Sequence, residues 1–256
     1  MKYSFGKSII AFSTERRCKD VLAPYDGFNI THYCGDDVEH VRSCRQQLCE
    51  QLEIPDSHLI VPRQVHGTHI EEITEELLGR NIEDTDAIIT QLSGICIGVS
   101  TADCVPLLFH DTRTDAIAAA HAGWRGTVAH IGVLTLEAMT KAFGTHPENV
   151  VCVIGPSIGP EAFEVGDEVY EAFANAAFPM EDIAARHPQT RKWHIDLWKA
   201  NIWQLMQAGI PQEAIHPSGL CTYDNNSRFF SARRLGINSG RMFTGIMKVD
   251  RTRPMG

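Results

Sequence analysis

The chain has 256 residues, of which 43% are hydrophobic and 21% charged, and it carries a formal net charge of −9 at pH 7. This is an ordinary globular balance, long enough to bury a sizeable core in one large domain or two small ones, and it excludes disorder. The acidic surplus leaves no chain-wide basic footprint, so the expectation is no nucleic acid and no membrane among the partners.

The start, MKYSFGKSIIAFSTERR, has no long apolar run and no small-residue cleavage site, so it does not read as a secretory signal. No apolar stretch approaches the roughly 20 residues of a membrane span, and a cytoplasmic protein is expected. Eight cysteines (18, 34, 44, 49, 96, 104, 152 and 221) are scattered without C-x-x-C pairs. That density is far below a disulfide scaffold, so reduced thiols are the default and any special Cys is a ligand or a nucleophile.

In chain order, DDVEHVRSCRQQLCEQL from Asp36 predicts a helix over 37–52, with Val38, Val41, Cys44, Leu48 and Leu52 on one stripe behind an Asp cap. Pro55 limits it. LIVPRQVHG reads as a strand running through His66, followed by shorter strands at 86–90 (DAIIT) and 95–100 (ICIGVS). The hairpin candidate STADCVPLLFHDTRTDAIAAAHAGWRG spans 100–126. A helix over 127–143 follows and stops at Gly144. NVVCVIGPSIGP reads as a strand entering a Gly/Pro loop, GDEVYEAFANAAF as a helix, and DLWKANIWQLMQAGIP as a helix opening at Asp196 and closing at Gly209 and Pro211. There is no linker, repeat or low-complexity tract. One compact unit over 1–256 is expected, of α/β (α+β) class, with mixed sheets containing antiparallel hairpins covered by helices.

The hairpin holds the candidate chemistry. With Asp111 to Asp115 as the turn, a hairpin centred on Arg113 puts Cys104 opposite Ala122, one position from His121. Opposed residues have Cβ atoms roughly 4.5–5.5 Å apart, a span that two metal ligands, or a nucleophile and its base, can bridge. The alternative is that Cys104 is a small buried hydrophobe and His121 a satisfied core residue. Their position at strand ends, where loops begin, favours function. Cys96, inside a strand, reads as core.

RQVHGTHI offers His66 at a strand end before a Gly that permits close approach, with His69 as its local competitor. In HAGWRGT, Gly123 and Gly126 surround Trp124 and Arg125 just ahead of a helix. Such a turn can direct N–H groups at an anion, with Arg125 adding charge, or it can be a plain strand-to-helix turn. The tail SRFFSARRLGINSGRM gathers Arg228, Arg233, Arg234 and Arg241, which either bind a phosphate or carboxylate or pair with the acidic surplus. Trp193, Trp198 and Trp203 are spaced by five and do not share one helix face.

Taken together, QVHG, TADC, HAGWRG, IGPSIG and FFSARRLGINSGR carry a resemblance. From GFNITHYCGDD (27 to 37) to Arg241 the chain resembles the YfiH family, also called the laccase-domain or multicopper polyphenol oxidase family and, in some bacteria, peptidoglycan editing factor. The resemblance implies a zinc site made by His66, Cys104 and His121, which are also the catalytic centre. It further implies purine nucleoside phosphorylase activity on adenosine and inosine, with adenosine deaminase and methylthioadenosine phosphorylase activities in the same site. The small-molecule partners are then a purine nucleoside and phosphate. The family usually has Asn-Arg in its first helix. Arg45 matches and is an implied substrate contact, whereas Cys44 stands where the Asn would be.

A His₂Cys set leaves a fourth position open, as catalytic zinc requires. Phosphorolysis needs phosphate held beside the sugar, and Arg45 and Arg125 are the candidate cations. Three other functions compete. A copper polyphenol oxidase would place Cu in the same cluster, but it lacks further histidines for several coppers, and copper binds N/S sites tightly in any case. A Cys–His hydrolase would use Cys104 as nucleophile and His121 as base, with a peptidoglycan precursor as its substrate. A binding protein would show no turnover with any metal.

Overall fold

A computed structural model describes residues 1–249. In chain order its strands are β1 (Lys2–Tyr3), β2 (Ile9–Ser13), β3 (Leu59–Ile60), β4 (Ile70–Glu72), β5 (Ala87–Thr90), β6 (Cys96–Thr101) and β7 (Val105–Asp111). The second half adds β8 (Ile117–Ala122), β9 (Val150–Ile154), β10 (Glu164–Val165), β11 (Ala184–Arg186), β12 (Trp193–Ile195), β13 (Ile215–Pro217) and β14 (Met242–Lys248). The helices are α1 (Val38–Leu52), α2 (Trp124–Val128), α3 (Ile131–Phe143), α4 (Asp167–Asn175), α5 (Met180–Ile183), α6 (Leu197–Gln207) and α7 (Ala232–Leu235). None of them is long and apolar enough to cross a membrane.

Two mixed sheets stack face to face, in the orders β1-β2-β14-β6-β3 and β13-β9-β7-β8-β5-β4, and a small sheet β10-β12-β11 lies apart from both. Because successive strand residues point to opposite faces, each main sheet fills two layers of core. Phe12, Cys96, Phe243 and Met247 pack with Cys44, Leu48 and Cys49 of α1 on the outer side of the first sheet. Its inner side sends Ile97, Val99 and Ile246 against Ile88, Leu108, Ile117 and Val153 of the second sheet. The far side of the second sheet buries Leu107, Phe109, Ala120 and Ile154 under Ile131, Leu136, Met139, Ala200 and Leu205 of α3 and α6. The expected mixed α/β architecture is therefore the one found, and strands buried on both faces explain the long apolar runs ICIGVS and NVVCVI.

Several local expectations change. The strand through His66 ends at Ile60, and residues 61–69 form a loop in which His66 adopts a left-handed φ of 60°. Pro62 removes a ladder donor there, and the next N–H groups turn toward a side chain instead. The hairpin is shifted by one residue: Val105, not Cys104, lies opposite Ala122, and His121 faces Pro106. The reason is an even loop of four residues closed by Asp115 N–H donating to Asp111 O at 2.9 Å, with Asp115 itself at φ 58°. Cys104 thus sits just before the strand.

The helix expected over 127–143 is two helices, α2 and α3, parted at His130, which has a φ of 58°. Its ring is held by Gln204 Oε1 at 3.1 Å and stacks on Phe178, so tertiary contacts override helical continuity. On α1 the cap is Asp37, which accepts from His40 N, but Val38 is exposed and Cys49 replaces it in the buried stripe.

Arg16, unremarkable in sequence, is fully buried and donates to the carbonyls of Asp20, Val21, Ala23, Asp26 and Asn226 and to the Asn226 side chain. It pins the loop after β2 to the segment ahead of α7.

Gly98 of β6 lies opposite Gly245 of β14, and the Phe243 ring covers the space where a Cβ of Gly98 would sit. This is a glycine pair roofed by an aromatic side chain. Gly98→Ala is expected to destabilise the protein by about 1–3 kcal/mol through overpacking. Phe243→Leu in the same chain should recover part of that loss, measured as a non-additive denaturant midpoint.

Candidate metal centre

His66, Cys104 and His121 come from three separate segments and meet at the end of the second sheet where β7 begins and β8 finishes. One ligand atom from each lies within 4.8 Å of the others, and they are the only such His/Cys/Asp/Glu group among the described residues. Cys104 Sγ is 3.7 Å from His66 Nε2, and the two imidazoles pack edge to face with centroids 4.7 Å apart. A tetrahedral zinc with these ligands has N–S edges of about 3.5 Å, so small side-chain adjustments bring the set to bonding distance.

The segments converge because of Asp86, which precedes β5 and is fully buried. Its Oδ1 accepts from His121 Nδ1 at 2.8 Å and from the His66 N–H at 3.0 Å, while Oδ2 accepts the N–H groups of Val65 and Gly67 at 3.1 and 2.7 Å. Its carbonyl also accepts the His121 N–H at 2.7 Å, continuing the β5–β8 ladder. One carboxylate thus builds the turn that carries His66 and orients the ring of His121. With Nδ1–H committed to Asp86, the lone pair of His121 available to a metal is on Nε2, the usual carboxylate–histidine arrangement behind a metal ligand. Nothing in the sequence reading singled out Asp86. The signal was an acid at the start of a strand otherwise wholly buried.

Electrostatics reinforce the geometry. Burial pushes the Cys104 thiol up, but the charge and hydrogen bond of His121, with His66, outweigh it and bring the pKa down to about 6. Burial likewise lowers His121, but the Cys104 thiolate and Asp86 more than offset this and raise it to about 9. Asp86 is raised by burial and lowered further by His121 and the backbone donors, so it stays below the usual carboxylate range. The protein groups therefore favour a thiolate beside positive charge, which is what a divalent cation requires of a Cys ligand.

Gly123 packs directly against the site: a Cβ there would stand 3.0 Å from Cys104 Sγ and 3.2 Å from His66 Cδ2. Behind Cys104, Asp103 holds a left-handed φ of 86°. Its buried carboxylate accepts from Thr222 Oγ1 (2.6 Å), Ser231 Oγ (3.0 Å) and Arg233 N (2.7 Å).

The other candidates are not gathered here. Arg45 is paired with Asp56 at 3.0 Å and bonds Leu59 O, lining a cavity with His32 and Asp56 that none of the three ligands enters. Arg125 is exposed, with its guanidinium 4.3 Å over the Trp124 ring, and bonds no member of the cluster. His69 is exposed beside Glu71. Of the remaining histidines, His110 is buried at the opposite, turn end of the hairpin. Cys96 is wholly buried core, as read from sequence. The tail arginines disperse: Arg228 pairs with Glu15, Arg241 caps its own loop carbonyls, Arg234 lies over Tyr223, and Arg233 reaches Glu164 O.

Residues 10–249 match the family model described as multi-copper polyphenol oxidoreductase laccase. The chain is 46% identical to a purine nucleoside phosphorylase of Bacteroides thetaiotaomicron, over 94% of this chain and 92% of that protein. It is 43% identical to adenosine deaminase RL5 of an unknown prokaryotic organism, over 96% of this chain and 98% of the relative. Among solved structures it superposes on YlmD from Geobacillus stearothermophilus with a TM-score of 0.88 and 29% identity, covering 95% of this chain and 93% of that one.

Asp86→Asn keeps the size of the side chain but loses the anion that orders the 65–67 turn and His121. Its zinc affinity, measured by chelator competition, is expected to fall about 10–100-fold.

Proposed function

The chain belongs to the multi-copper polyphenol oxidoreductase laccase family, to which YfiH and YlmD proteins also belong, and from that premise we propose that it is a zinc-dependent purine nucleoside phosphorylase. Its substrates are adenosine, inosine and methylthioadenosine with phosphate, released as the base and the ribose 1-phosphate derivative, and it also deaminates adenosine. The observation that carries this reading is a His₂Cys cluster with no fourth protein donor among the described residues. That donor set is the pattern of a catalytic zinc with an open position, whereas structural zinc sites are closed by four protein ligands. The enzymatic character agrees with relatives named purine nucleoside phosphorylase and adenosine deaminase.

His66, Cys104 and His121 would hold the metal. Zinc bound there supplies Lewis acidity at its open position, polarising an oxygen or nitrogen of the substrate or lowering the pKa of water. The remaining roles belong to the chain. Asp86 fixes the tautomer of His121 and keeps its Nδ1 proton away from the reacting side. Asp103 holds Cys104 at the mouth of β7, so the thiolate does not swing toward bulk water. Gly123 leaves the approach over Cys104 and His66 open. In phosphorolysis, phosphate attacks the anomeric carbon of the ribose, the glycosidic bond breaks, and the departing base takes up a proton. In deamination, water replaces the exocyclic amine and ammonia leaves. All eight cysteines are free, which supports a cytoplasmic setting.

The copper reading predicts oxygen consumption, and the Cys–His hydrolase reading predicts turnover in metal-free protein. Inosine should be cleaved only when phosphate is supplied, while adenosine deamination should proceed without it, and both should stop in Cys104→Ala with the fold intact. Cys96→Ala is the contrast: it should keep the metal and activity but lose roughly 1–2 kcal/mol of stability to a core cavity. Product analysis by chromatography decides the matter, and base release without phosphate, or full activity after zinc removal, would count against the reading.

A further inference from the structure

A second cleft, of about 310 Å³, lies beside the small sheet and is lined by Glu161, Glu164, His187, His194, Tyr223 and Arg233. Its groups are unevenly spent. Glu164 is taken by Lys192 Nζ at 2.8 Å and Thr190 Oγ1 at 3.2 Å. His194 Nδ1 donates to Pro160 O at 2.9 Å, and the ring stacks on His187 with centroids 5.4 Å apart. His187 Nδ1 accepts the N–H groups of Gln189 and Thr190 at 3.3 and 3.2 Å. A neutral imidazole that accepts at Nδ1 carries its proton on Nε2, so His187 offers a fixed donor.

The Arg233 guanidinium gives one bond, from Nη1 to Glu164 O at 3.0 Å, and has no carboxylate partner among the described residues. Its Cζ lies 5.7 Å from the Phe163 ring centroid, which leaves most of its N–H fork unused. The Tyr223 hydroxyl makes no hydrogen bond among the described residues. The unspent donors are therefore the Arg233 fork, the His187 Nε2–H and the Tyr223 hydroxyl; the unspent acceptors are the exposed Glu161 and the buried Nε2 of His194, which bonds nothing among the described residues and lies 3.7 Å from Glu164 Oε2.

We propose that this cleft is an oxyanion subsite for inorganic phosphate, with Arg233 and His187 as its donors and Glu161 as the group that tells phosphate from sulfate. The inference rests on the phosphorylase reading for its biological role. An arginine fork with an imidazole N–H matches the oxygens of a tetrahedral oxyanion. A carboxylate would repel a fully deprotonated anion, but phosphate at neutral pH keeps a P–OH that can donate to Glu161, and sulfate has none. Discrimination by an unpaired repulsion is a general route to specificity. The subsite is also joined to the metal cluster through one residue: the Arg233 N–H is 2.7 Å from Asp103 Oδ2, and Asp103 immediately precedes Cys104. Of the four clustered tail arginines, this is the one whose guanidinium lines a cleft without being neutralised by an acid.

The test is calorimetric titration of zinc-loaded protein with inorganic phosphate in the absence of nucleoside. The wild type should bind phosphate. Arg233→Met, which keeps the backbone bond to Asp103 and the packing on Phe163, and His187→Phe, which keeps the stack on His194, should each raise Kd by at least about tenfold, or 1.4 kcal/mol. Arg228→Ala, whose side chain pairs with Glu15, should leave Kd unchanged, and zinc content should be equal throughout. Sulfate should bind the wild type at least about tenfold more weakly than phosphate, with the gap closing in Glu161→Gln. No binding by the wild type, or equal Kd values in wild type, Arg233→Met and His187→Phe, overturns the subsite. Binding with this pattern but without inosine cleavage keeps the subsite and removes the phosphorylase reading. Cleavage whose phosphate KM ignores Arg233→Met removes the subsite alone.

Discussion

The carboxylate of Asp86 is the interaction on which the site depends. A buried carboxylate is costly unless every lone pair is met, and here three backbone N–H groups and one imidazole N–H meet it. The bonds act in two directions. They keep the acid ionised in the interior, and they force residues 65–67 into a tight turn, with His66 at a φ of 60°. A non-glycine residue in that region costs roughly 1–2 kcal/mol and persists only when its surroundings over-determine it. Four charge-assisted bonds do so. Two candidate ligands from distant parts of the chain thereby become one rigid unit.

Asp103 does for Cys104 what Asp86 does for the histidines. It too is buried, it holds a positive φ itself, and its carboxylate is bonded by Thr222, Ser231 and Arg233. Its carbonyl accepts Ile158 N at 2.8 Å, so the loops after β9 and before β14 are tied to the residue next to the thiol. Burial raises the pKa of Asp103 above the usual carboxylate range despite these donors, whereas that of Asp86 is lowered. The difference follows from partners: Asp86 faces an imidazole that can carry charge, and Asp103 faces two hydroxyls and an amide.

The stacked sheets supply what both nodes need, a frame that does not move. β7 and β8 lie in the middle of the second sheet, buried on both faces, and the cluster sits where these strands run out. Ligands at the ends of central strands inherit the rigidity of the core while remaining open to a small molecule. The arrangement also separates tasks. Packing residues such as Cys96 lie inside the strands, and the candidate ligands lie at or beyond their ends: Cys104 just before β7, His121 next to last in β8, and His66 in the loop between β3 and β4.

By itself the sequence determined the element types, the mixed class and the Cys104–His121 pair, because these rest on local periodicity and on a hairpin whose strands are adjacent in the chain. The motifs QVHG, TADC and HAGWRG marked His66 by resemblance, although the strand drawn through it was wrong. The exact register escaped, since an even or odd turn depends on whether Asp115 takes a left-handed conformation, and so did the break at His130, which Gln204 and Phe178 impose from α6 and the segment after α4. Tertiary structure alone decided the roles of Asp86, Asp103 and Arg16. A carboxylate or guanidinium earns its place through partners dozens or hundreds of positions away, and no periodicity records such a bond. It also sorted the arginines, giving Arg45 to Asp56 and Arg228 to Glu15, because charge in a sequence has sign but not direction, and only folding fixes which acid each base meets.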